Sequence, residues 1–212
     1  MFKGFLVGFI LVVLLIALLL YVYGKNVLTN IASPKTDAYV ESTLVPSHDT
    51  WIQYTPLSKK FDSKFPATPQ HATDRLIDEK TKELKQYEMF ISESNGKVFM
   101  ISVISFLNDD KVKDEETTLK NIIDDMVAAK SGNKLEKIQY GMYEGHKDAE
   151  FLITNNAYAL TGIAFIDKNQ LYVLTSLSSS PKESKNEFDY FVKSFKLNSN
   201  EPSNIAPFPI EK

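Results

Sequence analysis

From Gly4 to Gly24 no charged side chain interrupts the chain, and Phe5 to Leu20 is almost wholly Leu, Val, Ile, Phe and Ala. A helix of about 21 residues rises about 31 Å, the thickness of a hydrocarbon core, and satisfies its own backbone polar groups. Tyr21 and Tyr23 stand at its far end, where amphipathic rings favour the membrane–water boundary, and Lys3 and Lys25 bracket it. A cleaved signal peptide is the competing reading. Its apolar stretch is ordinarily about 7–15 residues and ends in a small-x-small site. Here the run is longer and ends Tyr-Val-Tyr-Gly, with Ile31-Ala32-Ser33 a poor late substitute. The pattern therefore predicts an uncleaved transmembrane anchor over residues 1–24, in contact with the lipid bilayer through residues 4–24. Lys3 and the α-amino group nearly balance Lys25 and Lys35, so basic-residue bias hardly orients it. A short N-terminus before a large domain behaves as a signal anchor, which predicts a cell-membrane, single-pass protein with its domain outside the cytoplasm.

Residues 25–50 carry Ser33-Pro34 and Pro46 without apolar periodicity and read as a linker. A folded domain is expected over 51–197, and a flexible tail with Pro202, Pro207 and Pro209 over 198–212. Within the domain, Trp51–Tyr54, Phe61–Pro66 and His71–Ile77 read as short extended pieces. Glu83–Ser92 and Lys97–Leu107 read as strands joined at Ser94-Asn95-Gly96, a hairpin signal. Val98–Phe106 is apolar on both faces and is expected to be central and covered. The period then changes. Leu119, Ile122, Ile123, Met126 and Val127 fall on one helical face, with Asp114, Glu115 and Glu116 at the start and Ser131-Gly132 at the end. Strands follow at Leu135–Tyr140, His146–Thr154, Ala157–Ile166 and Leu171–Leu177, with turns at Asn155-Asn156 and Asp167-Lys168-Asn169. Pro181 opens a last helix with the stripe Phe188, Phe191, Val192 and Phe195. Two amphipathic helices and a sheet predict an α+β fold.

Composition narrows the function. Of 212 residues 43% are hydrophobic and 24% charged, so the body is that of a folded domain. A net charge of −3 offers no basic footprint, so no nucleic acid is expected as partner. Cysteine is absent, which removes disulfides, a thiol nucleophile, cysteine zinc sites and a lipid-modified N-terminal cysteine. No Asn-x-Ser/Thr sequon occurs. The composition suits a bacterium.

Three stretches resemble the PsbP/Mog1-like domain family. Phe61-Asp-Ser-Lys-Phe-Pro-Ala-Thr-Pro69 is similar to its opening strand and proline turn. Gly141-Met-Tyr-Glu-Gly145, followed by an apolar strand, is similar to its turn between middle strands. Phe188-Asp-Tyr-Phe-Val-Lys-Ser-Phe-Lys-Leu197 is similar to its closing helix. The resemblance covers about Trp51 to Leu197. It implies an α/β/α sandwich with a mainly antiparallel central sheet, preceded here by one N-terminal transmembrane helix. It also implies a binding or accessory role, often in the bacterial envelope, rather than an enzymatic one. The anchor sets this chain apart from the photosynthetic and nuclear-transport members, so their partners do not carry over.

No catalytic, cofactor or metal residues are assigned. His48, His71 and His146 are not paired at ligand spacing; His146, Asp148 and Glu150 would share one strand face, which reads as a solvated surface. Ser176–Ser180 lacks a nucleophile elbow and reads as a loop before the last helix. Asp109-Asp110 and Asp124-Asp125 read as a loop and the wet side of a helix. Tyr140, Met142, Tyr143 and His146 form the one candidate ligand or partner surface, against the plainer reading of a strand end whose glycines supply positive φ. The expected function is a membrane-anchored, non-enzymatic binding or scaffolding domain of the cell envelope, engaging another envelope protein or a small ligand, without cofactors. Two alternatives stand beside it. One is a membrane-complex subunit using its anchor helix, in which Gly4 and Gly8 permit close approach. The other is an enzyme whose site is assembled from distant residues.

Overall fold

The computed structural model describes residues 48–77, 82–107, 112–179 and 181–198. The expected anchor over 4–24, most of the linker, the Asp109-Asp110 pair and residues 199–212 lie outside them. Among the described residues no helix is long and apolar enough to cross a membrane. After a 3₁₀ turn at His48–Thr50 come β1 (Ile52–Tyr54), β2 (Phe61–Phe65), β3 (Gln70–Ile77), β4 (Leu84–Ser94), β5 (Lys97–Phe106), α1 (Glu115–Ala128), β6 (Lys134–Tyr143), β7 (His146–Thr154), β8 (Ala159–Asp167), β9 (Gln170–Ser178), α2 (Pro181–Ser194) and β10 (Lys196–Leu197).

Seven strands form one sheet in the order β3-β4-β5-β9-β8-β7-β6, every pairing antiparallel. The β4–β5 hairpin turns at Asn95-Gly96, both at positive φ, with Ser94 opposite Lys97. Such a turn matches the right-handed twist of the strands it joins. Beside the main sheet, β1, β2 and β10 make a small one.

Alternation sorts the side chains into two cores, one on each face of the main sheet. On the first face Phe99, Ile101, Val103, Ile163, Phe165, Tyr172 and Leu174 pack with Phe188, Phe191 and Phe195 from the α2 segment and with Phe61 and Phe65 of β2. On the second face Ile104, Ala149, Phe151, Ile153, Ala164, Ile166, Leu171 and Val173 pack with Leu119, Ile122 and Ile123 of α1. The protein is thus α+β, with two helices flanking an antiparallel seven-stranded sheet. α1 starts at Asp114, whose carboxylate accepts from the Thr117 amide at 3.0 Å and satisfies one of the free donors of the first turn.

Two expectations need correction here. β5 is interior and covered as expected, and beside it β9 holds the middle of the sheet, buried at Leu171 to Ser176. The serine run is therefore not all loop. Ser176 and Ser178 lie in β9 and are buried, because a strand covered on both faces buries its small polar side chains too. Asp125 likewise leaves the wet side of α1: its Oδ2 is buried and has no hydrogen-bond partner.

Candidate functional site

The candidate surface lies on β6, an edge strand of the main sheet. Its turn into β7 is only Glu144-Gly145, both at positive φ, with Tyr143 opposite His146. Gly141 is not part of that turn. It sits inside β6 opposite Asp148, and the hairpin joins an edge strand to its neighbour rather than two middle strands. A side chain at Gly141 would meet Asp148 Oδ1 at 3.0 Å; the small residue makes room for that carboxylate, which accepts from the Gly141 amide. Asp148 is therefore buried rather than solvated, and burial, with Glu150 nearby, raises its pKa against the opposing effect of that hydrogen bond. Glu150 is exposed, and no group of three His, Asp or Glu side chains able to hold a metal exists among the described residues.

The four candidate residues do not share one surface. Directly opposed residues of an antiparallel pair point to the same face. Tyr140 lies opposite Ala149 and Ile138 opposite Phe151, which places them, with Met142, on the α1 face. Tyr143, opposite His146, is on the α2 face. There its ring lies 4.8 Å from that of Phe165, and its hydroxyl donates to the Val192 carbonyl at 2.9 Å. Burial pushes the phenol pKa up. Tyr143 is a fastening between sheet edge and helix end. His146 sits beside it, its ring 6.1 Å from that of Phe165 and its Nδ1 4.0 Å from Asp167 Oδ1.

Tyr140 and Met142 instead belong to a row that the sequence reading did not include in full. Leu135, Ile138, Tyr140 and Met142 are 37, 37, 48 and 65% exposed, beyond the cover of α1. Leu135 joins this face only because the pairing slips between Leu135 and Lys137, a bulge that inverts the alternation. Four large apolar side chains in line on an edge strand are a surface suited to burial by a partner.

A second constellation crosses the α2 face and joins residues far apart in sequence. The Lys60 ammonium pairs with the buried Glu88 carboxylate and donates to Ser105 Oγ at 3.2 Å. His71, stacked on Phe90 at 4.6 Å, lies 3.9 Å from the other Glu88 oxygen. Ser105 is opposite Gln170, which accepts the Tyr172 hydroxyl proton, and Gln170 is opposite Asp167 beside His146. This polar belt runs from β3 to β7. Its central carboxylate is already matched by a cation, as a buried charge must be. What it does in the fold is tie the turn before β2 onto the main sheet. No short sequence motif announces it, since its members come from seven segments.

The sequence matches no family model and no curated protein. Among solved structures it is similar to cyanobacterial PsbP (CyanoP) from Synechocystis sp. PCC 6803, at 9% identity and a TM-score of 0.46, over 78% of this chain and 99% of that one.

Proposed function

We propose that this chain is a membrane-anchored, non-enzymatic binding or scaffolding protein of the cell envelope, held by residues 4–24 with its domain outside the cytoplasm. The supporting observation is the exposed apolar row Leu135, Ile138, Tyr140 and Met142 on the edge strand β6. An edge strand offers unpaired backbone groups, and natural edges are usually blunted by charge, proline or cover. This one keeps apolar side chains facing water, which favours a partner that binds by strand addition or by apolar contact. The enzyme alternative draws on the polar belt, where Lys60, Glu88 and His71 converge. An ion pair satisfied by its own neighbours favours a structural role over a reactive one.

Two measurements on intact cells test this reading. The first uses a single cysteine at the exposed Ser179, possible because the chain has none of its own. A membrane-impermeant thiol reagent should label full-length Ser179→Cys without opening the cells; labelling only after lysis would place the domain in the cytoplasm. The second places a photocrosslinking side chain at Met142 or, as control, at the fully exposed Leu57. A discrete adduct at Met142, absent at Leu57 and lost with Tyr140→Asp, is the expected result. Equal adducts at both positions would remove β6 from the reading.

A further inference from the structure

The β6–β7 hairpin fixes which backbone groups of β6 are unpaired. A two-residue turn at Glu144-Gly145 makes Tyr143 and His146 a hydrogen-bonded pair. Pairs alternate from there. Gly141 and Gln139 direct their N–H and C=O groups toward β7, while Met142, Tyr140 and Ile138 direct theirs outward. An added antiparallel strand bonds only where its own outward residues meet these. A second β6 running the other way satisfies that condition when centred on Ile138, Gln139 or Tyr140, and side chains choose among the three. Centred on Ile138, the bulge sets Tyr140 opposite Glu136, whose carboxylate already accepts from Thr154 Oγ1 at 2.9 Å. Centred on Tyr140, Lys137 meets Tyr143, whose hydroxyl is committed to the Val192 carbonyl. Centred on Gln139, Ile138 meets Tyr140 twice over and Lys137 meets Gly141.

That last meeting is the informative one. Gly141 has no side chain. Behind it, in the same row across the strands, stands the Asp148 carboxylate, with the exposed Glu150 next along that face. A lysine from a second copy can lie over Gly141 and bring its ammonium toward these acids, two strand spacings or about 10 Å away. One chain supplies both charges, so each copy gives a Lys137 and receives one. At the centre the two Gln139 amides face each other, and each can donate to and accept from the other. On the α1 face Ile138 packs against Tyr140, and Met142 turns toward the Leu135 end of the other strand. The exposed row is thereby covered by its own copy.

We propose that a second copy of this chain adds to β6 through its own β6, antiparallel and two-fold symmetric about Gln139, joining the two seven-stranded sheets edge to edge. This inference rests on the reading of β6 as a partner face and names the partner. The contact is isologous and therefore closed. The outer edges of the joined sheet are then two β3 strands, where His71, Thr73, Asp74 and Arg75 make a polar border of the kind that discourages further pairing. The two-fold axis runs perpendicular to the sheet, so both copies present the α2 face on the same side. His48, stacked on Tyr190 of α2 at 4.0 Å, lies on that side in each copy, and on the proposed anchoring both chains can enter one bilayer.

The test uses the full-length chain in detergent micelles, with single cysteines placed in turn at Lys137, Ile138, Gln139 and Tyr140. Opposed residues of a non-hydrogen-bonded pair stand about 4.5 Å apart at Cα, within disulfide reach. Under copper-phenanthroline, Gln139→Cys should form the interchain disulfide at least about tenfold faster than Lys137→Cys, whose two copies lie four residues, about 13 Å, out of register. Adding Lys137→Glu to the Gln139→Cys chain should slow it about tenfold, because it sets like charges together. Lys134→Glu makes the same change of charge beyond the paired segment and should leave the rate as it was. Equal rates along the strand, or a fastest position other than Gln139, would overturn the proposal. The mass of the Met142 adduct in cells separates it from the reading beneath it. Twice the chain's mass is the expected result. A Met142 adduct of another mass, with no preference for Gln139, overturns self-pairing and leaves β6 as the face for a different protein. Loss of the Met142 adduct and of the Gln139 preference together would remove both.

Discussion

Asp125 shows how one misplaced carboxylate governs a pH response. Its Oδ2 is buried without a partner, and burial first, then the charge of Asp124, pushes its pKa up to about 6, with Lys85 acting in the other direction. Because the folded state holds the proton more tightly than the unfolded chain, the penalty is absent below about pH 4. It grows as pH rises through 6. Asp125→Asn should therefore stabilise the domain at pH 8 by about 1 kcal/mol after allowance for solvent screening, and not at all near pH 4. Thermal melts at the two pH values check this; a gain equal at both would mean that the charge is not the cause. Tyr143 makes a different case. Its hydroxyl donates to Val192, so Tyr143→Phe should cost about 1 kcal/mol in urea unfolding while leaving the Met142 adduct intact. A lost adduct with unchanged stability would return Tyr143 to the binding surface.

At the scale of elements, β7 and β8 approach closely at one glycine. Gly162 lies opposite Phe151, and a Cβ there would stand 2.2 Å from the Phe151 ring tip. The ring covers the glycine and fills the core beneath α1, where Phe151 is 2% exposed. Gly162→Ala should destabilise by about 1–3 kcal/mol or more, and Phe151→Ala by about 3–5. Since removal of the ring also removes the clash, the double variant should fall short of the sum by at least about 1 kcal/mol in denaturant unfolding. Additive losses would mean that the strands move apart instead. Such pairings are invisible in sequence, although most elements were legible there. Helix periodicity at Leu119–Val127, the Asn95-Gly96 turn and the stripe Phe188–Phe195 all located real elements, because each depends on neighbours within a few residues. What could not be read depends on residues far apart or on local slips. The bulge after Leu135 inverts alternation near the start of β6, so Leu135 did not look like a companion of Ile138, Tyr140 and Met142. Conversely Tyr143 and His146, close in sequence to Tyr140, lie on the opposite face. Lys60, Glu88 and Ser105 meet only once β4 and β5 have paired.

For the whole molecule, the proposed anchor and the domain are two alternative seats of recognition. Every surface considered above, the β6 row and the polar belt alike, belongs to the domain. If the domain does the binding, residues 4–24 supply location alone, and their hydrophobic length matters more than their sequence. If the chain is instead a subunit packed through its helix, Gly4 and Gly8 would allow a neighbouring helix to approach closely, and sequence matters. Exchanging residues 4–24 for an unrelated apolar helix of equal length separates the two. If the domain does the binding, the Met142 adduct should persist within about twofold, since on the proposed anchoring an equal span would hold the domain at the same height above the bilayer. Thiol labelling of Ser179→Cys in the same exchanged chain verifies that the domain has stayed on its side. An adduct lost while that labelling is retained would transfer recognition to the anchor, and the β6 row would then be a surface held near its partner by the helix rather than the feature that selects it.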